Sequence, residues 1–117
     1  MDALPAAAFI KDEASTTLCN RYMAELIGAP GWLGKNAGDL FPRELAEKMS
    51  ADDRRALAAG RVVVEEQVPT ADGRMLTFET TKFAIPRPGK PRLCGGIALD
   101  ITEHKLVEAQ VRATGLL

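Results

Sequence analysis

Four groups of residues in this sequence carry side chains that could do chemistry. Asp52 and Asp53 are neighbouring carboxylates, a pairing that can divide general acid and general base work. Cys19 and Cys94 are the only thiols, and His104 is the only imidazole. In Asp100-Ile101-Thr102-Glu103, the spacing of Asp and Glu is that of a capping box, in which each side chain satisfies a free backbone N–H at a helix start. The first three groups do not assemble into a reaction centre. Adjacent residues on a helix point about 100° apart, so Asp52 and Asp53 diverge from any one substrate; they read instead as charge at a helix start. One histidine and two distant cysteines do not have the spacing of a zinc site. "CGGIAL" reads as a strand and not as a phosphate loop, and neither a serine elbow nor a zinc-protease motif is present. Catalysis is not expected.

Composition narrows the remaining classes. The chain has 117 residues, which fits one domain with a core of its own. A net charge of -1 with both signs mixed along the chain leaves no basic stripe for phosphates, so direct nucleic-acid binding is not expected. No apolar run reaches membrane-spanning length. The start, "MDALPAAAFIKDE", has Asp at position 2 and no basic leader, so a cytoplasmic protein with reduced, buried cysteines is expected.

The elements that would position these residues follow from pattern. "AAAFIKDE" (6–13) and "STTLCN" (15–20) are short strand candidates around a polar turn at Asp12, Glu13 and Ala14. Asn20 can cap a helix with Tyr22, Met23, Leu26 and Ile27 on one face and Gly28 at its end; "GAPGWLG" follows as a loop. "NAGDLFPRELAEKMSADDRRALAAG" predicts short helical pieces broken at Pro42 and near Ser50, where Ser50 and Asp53 repeat the capping spacing. From Arg61 onward, "RVVVEEQVP", "RMLTFETTKFAIP" and "RLCGGIALDI" are strands joined by the turn sequences "TADG" and "RPGKP". Two strands, short helices, three longer strands and an exit helix predict an α+β fold: one five-stranded antiparallel sheet with helices on one face.

In that order, "FIKDE", "CNRYMAELIG", "GKNAGDLFP", "DDRRALAAG", "TADGRMLTFETTKF" and "CGGIALDITEHK" resemble a PAS sensory domain, with the likeness running from about Leu4 to Arg112. The most specific match is Asp100-Ile101-Thr102, the "DIT" with which such domains pass into a signalling helix. The resemblance implies a PAS domain over residues 1–102 and a linker helix beginning at 103–117. It also implies a bacterial signal-transduction module whose output domain, a kinase or a DNA-binding transcriptional regulator, lies C-terminal to this chain. Asp100, Thr102 and Glu103 would then relay the signal, with a plain helix cap as the alternative. Photoactive flavin-binding members carry Cys directly after the Asn of "GxNC"; here "GKNA" puts Ala37 there, so that photochemistry is not expected. Histidine-ligated haem is not expected either, because the segment before the third strand has no histidine, although Met49 leaves another ligation open.

PAS domains hold ligands between the sheet and the short helices. The expected lining here is Leu45, Met49 and Leu57 from the helices with Phe78, Thr80, Cys94, Gly96 and Ala98 from the strands, the small side chains of the last strand leaving room for a compact organic ligand. The opposite phase, Leu93, Ile97 and Leu99, is bulky and is expected to pack against a second copy, giving a homodimer. The alternative from a different class is a ligand-free dimerisation or scaffold domain with a filled core.

Overall fold

The computed structural model describes residues 6–12, 15–28 and 32–115. The turn residues Glu13 and Ala14, the centre of the "GAPGWLG" loop and both chain ends lie outside the described residues. The order is β1 (Ala6–Lys11), β2 (Thr16–Cys19), α1 (Arg21–Ile27), α2 (Ala37–Leu40), α3 (Arg43–Ala59), β3 (Arg61–Pro69), β4 (Met75–Arg87), β5 (Lys90–Asp100) and α4 (Thr102–Ala113). The strands form one antiparallel sheet in the order β2-β1-β5-β4-β3. The expected α+β architecture is present, and the chain-terminal strands meet at the sheet centre, where β1 pairs with β5.

Local chemistry explains most boundaries. Asn20 accepts a hydrogen bond from the Met23 N–H at 3.0 Å to start α1, and its amide donates to the Ala6 carbonyl at 2.8 Å, fastening the helix to β1. Gly28 ends α1 at φ 70°, a left-handed conformation that favours glycine. Asn36 and Asp39 form a reciprocal capping box at α2.

One expectation fails here. The helix from Arg43 to Ala59 is continuous, with no break at Ser50. Asp53, which has capping spacing from Ser50, is held by lysines of the sheet, and Asp52 binds Lys48 at 2.9 Å and Arg55 at 2.8 Å, ion pairs one turn apart inside the helix. Asp52 and Asp53 therefore stand mid-helix, not at a helix start. Their side chains do diverge, Asp52 towards Lys48 and Arg55 and Asp53 towards Lys11 and Lys82.

Alternation in the long strands sends Leu76, Phe78, Thr80 and Lys82 to the helix-covered face, where Ala7, Phe9, Met23, Met49, Val68 and Ala98 complete a core with Leu76 and Phe78. Ala46 and Ala56 let α3 lie close to the sheet.

Candidate functional site

The core leaves two small spaces beneath α3. One, of about 40 Å³, is lined by Ala7, Phe9, Met23, Leu26, Phe41, Met49, Glu66, Val68, Phe78, Thr80 and Ala98. A second, also about 40 Å³, lies against Phe9, Met23, Phe41, Met49 and Glu66 on its other side, towards Lys11, Thr16 and Lys82. Met49, Phe78, Thr80 and Ala98 thus come together as the sequence leads one to expect. The other four expected lining residues do not join them. Leu45 is partly buried and packs against the core without lining either space. Leu57 and Cys94 face an open groove with Asp53 and Arg92 on the far side of α3. At Gly96 the Phe9 ring fills the expected space: a Cβ there would collide with it. Spacing shows which face a residue points to, but not which partner across the sheet already occupies the room, and Phe9 is the register partner of Gly96.

Each space has room for a few waters, well short of the several hundred Å³ of a drug-sized pocket. A larger groove of about 410 Å³, lined by Tyr22, Glu25, Asp72, Arg74 and Asp100, opens to solvent beside α1.

Behind the cavity lies a charged group that the sequence reading does not anticipate. Lys82 is 1 % exposed, and its ammonium is 3.0 Å from Asp53, 3.2 Å from the Met49 carbonyl and 3.7 Å from Glu66. Lys11 binds the other Asp53 oxygen at 3.0 Å. Glu66, 5 % exposed, accepts a hydrogen bond from the Thr80 hydroxyl at 2.9 Å through Oε1. Its Oε2 has no hydrogen-bond partner, since the Lys82 ammonium at 3.7 Å is near enough to attract but too far to bond. Two ammonium groups and two carboxylates balance. The available signal was polar residues in the inward phase of otherwise apolar strands, Glu66 beside Val68 and Lys82 after Phe78 and Thr80. Burial, and then the Asp53 carboxylate 3.7 Å away, push the Cys94 thiol up to about 11, so it is protonated and a poor nucleophile near neutral pH. Burial also raises Cys19. Among the described residues no cluster of three or more His, Cys, Asp or Glu is arranged to hold a metal.

At the exit from the sheet the capping box is not formed. Asp100 accepts hydrogen bonds from the Thr102 N–H at 2.9 Å and the Thr102 hydroxyl at 2.6 Å, while Glu103 is exposed outside this network. The Thr102 hydroxyl in turn accepts from the Thr77 N–H at 2.8 Å, and the Ile101 N–H donates to the Thr77 carbonyl at 2.8 Å. Asp100 and Thr102 therefore tie the start of α4 to the first residues of β4. The N-cap of α4 is Ile101 and not Asp100, so the Thr102 N–H, one residue nearer than the box requires, takes the Asp100 carboxylate. His104 lies on the exposed side of α4 near Glu108.

On the uncovered face of the sheet, Ile97 is 43 % and Leu99 49 % exposed, with Leu93 half-buried. Register places Ile97 between Ala8 and Thr81 in one row, and Thr81 opposes Val63. Lys105 of α4 reaches Glu65 on this face at 2.9 Å, and Leu106 and Val107 stay exposed beside it. No helix among the described residues is long and apolar enough to cross a membrane.

The comparisons agree with this architecture. The profile of the family described as "PAS fold" matches residues 1–106. The PAS domain of a Colwellia psychrerythraea protein is 20 % identical, with 87 % of this chain and 91 % of that one aligned at a TM-score of 0.72. The PAS domain of Bordetella pertussis BvgS is 20 % identical over 99 % of this chain and 92 % of that one, at 0.67. Vibrio cholerae VqmA, described as a dimer and a LuxR-type receptor, is 24 % identical over 88 % of this chain at 0.75. This chain spans about half of VqmA, 49 % of its length. No curated protein matches the sequence significantly. A sheet of order β2-β1-β5-β4-β3 carrying its short helices on one face, a "DIT" exit into a terminal helix, and a family profile covering nearly the whole chain lead to one assignment: the chain belongs to the PAS fold family.

Proposed function

We propose that this chain is the sensory module of a cytoplasmic bacterial signalling or transcription regulator, taking a small organic molecule into the cavity beneath α3 and controlling an output domain C-terminal to it. The observation that carries the reading is the position of the cavity relative to the exit. Ala98 lines the cavity two residues before Asp100, and Phe78 lines it one residue after Thr77. Asp100 and Thr77 are the groups that hold Thr102. A ligand that presses on Phe78 and Ala98 acts on the strand segments that grip α4. The flexible Met23 and Met49 side chains supply the adaptability needed to widen a 40 Å³ space. VqmA, with a similar fold, has been solved bound to DPO and in a complex with ligand and DNA. A non-catalytic role fits the protonated Cys94 thiol and the ion-paired Asp52 and Asp53.

Ala98→Leu tests the reading, because the new side chain enters the cavity itself. In a thermal-shift screen of short alcohols, organic acids and aromatics, the wild type is expected to gain about 2.7 kcal/mol at a hundredfold excess of a binder over its Kd. Folded Ala98→Leu should gain nothing. If no compound stabilises the wild type, the second reading, a ligand-free dimerisation or scaffold domain, takes its place; the small volume of the spaces and the filled site at Gly96 are what favour it.

The same module is a homodimer in this account, through the face carrying Leu93, Ile97 and Leu99 and through the exposed Leu106 and Val107 of α4. Ile97→Asp would bury an unpaired charge in that contact, which is costly, while a solvent-facing position would accept it. Sedimentation velocity should show the wild type as a dimer and Ile97→Asp as a folded monomer. An unchanged dimer removes this face from the account.

A further inference from the structure

Among the described residues, one buried side-chain polar atom has no hydrogen-bond partner, the Oε2 of Glu66. Burying a carboxylate oxygen is unfavourable unless something donates to it, so such an atom marks a place where a donor belongs. Glu66 is 95 % buried and lies in the wall of both small spaces, where every other wall residue that they share is apolar. Its Oε1 is already engaged by Thr80, which fixes the carboxylate in position. We propose that Glu66 is the polar anchor of the cavity, accepting through Oε2 a hydrogen bond from a compact, neutral, mainly apolar ligand that carries an O–H or N–H donor. This rests on the reading of the cavity as a ligand site.

The surrounding charge selects the ligand class. Lys11 and Lys82 already balance Asp53 and Glu66. An anionic ligand would meet the Glu66 carboxylate head-on, and a cationic one would add an unbalanced charge to a mainly apolar space; both are costly at low dielectric. A neutral donor satisfies Oε2 and leaves the balance intact.

The test compares phenol, toluene and benzoate, three one-ring probes that differ at one substituent, by calorimetric or thermal-shift Kd. Partition out of water favours toluene over phenol, so a preference for phenol requires an acceptor in the cavity. Wild type is expected to bind phenol at least about tenfold more tightly than toluene, the advantage of one hydrogen bond to a charged acceptor, and benzoate most weakly. Glu66→Met keeps side-chain length but has no oxygen, and should reverse the order to toluene over phenol. Since that change leaves two lysines on one carboxylate, the charge-balanced Lys82→Met/Glu66→Met pair serves where the single variant does not fold. Toluene bound as tightly as phenol by wild type, a phenol preference that survives loss of Glu66, or benzoate bound most tightly would each overturn the anchor while leaving the cavity a ligand site. If none of the three binds, the anchor is overturned as well, and the Ala98→Leu screen then decides separately whether the cavity takes ligands at all.

Discussion

Replacing Lys82 with Met is expected to cost about 3–5 kcal/mol, the usual penalty for removing one partner of a buried ion pair. Against a typical domain stability of about 5–15 kcal/mol this is a large fraction of the whole, and the loss should appear as a lower urea midpoint at 25 °C. The reason is charge and not volume. Met keeps most of the stem that Lys82 buries, but it leaves Glu66 and Asp53 facing Lys11 alone. Adding Glu66→Gln removes the excess carboxylate and restores one cation against one anion. The double variant should therefore be more stable than Lys82→Met alone, a coupling opposite in sign to two independent losses. A double variant less stable than Lys82→Met would show that the packing of the stem, and not the balance of the four charges, sets the penalty.

Gly96→Leu is the second large effect. The Phe9 ring sits where the new Cβ must go, so either the ring leaves the core or β1 separates from β5 at the centre of the sheet. Overpacking of this kind costs about 1–3 kcal/mol and occasionally more, and the absence of any open space at Gly96 places it at the upper end. Phe9→Ala alone loses the ring, which costs about 3–5 kcal/mol in a core. Together the two changes should be much less harmful than their sum, because Leu occupies what the ring vacates. Additive losses, measured by urea unfolding of the two single variants and the pair, would mean that Phe9 and Gly96 do not share that space.

Gly96 also shows how far the sequence carries. The sheet, the phase of β4 and β5, the Asn20 cap and the exit at Asp100 were all legible, because alternation and capping depend on neighbours a few residues away. The filled site at Gly96 depends on Phe9, which is distant in sequence and becomes a neighbour only through the β1–β5 register. Likewise Glu66 and Lys82 read singly as ordinary strand charges; they become a site only when β3, β4 and α3 bring Asp53 and Thr80 to them. Continuity of α3 through Ser50 was hidden by the same ambiguity. A Ser followed three residues later by Asp has capping spacing whether the helix begins there or runs past, and here Asp53 is taken by Lys11 and Lys82 from the sheet instead of closing a cap on Ser50. At the exit, Asp100 and Thr102 could be read as a pair from their closeness in sequence, but Thr77 could not, since the Thr102 hydroxyl reaches it only across the sheet.

A ligand in the core cavity is expected to be felt at the start of α4. The most direct measurement is an amide NMR titration of the ¹⁵N-labelled chain with the most stabilising compound from the Ala98→Leu screen. Shifts are expected at Met49, Glu66, Phe78, Thr80 and Ala98, which line the cavity, together with Thr77 and Thr102, whose amide and hydroxyl make the link to the exit helix. Shifts confined to Tyr22, Asp72 and Arg74 in the open groove, or cavity shifts that leave Thr77 and Thr102 unmoved, would contradict that expectation.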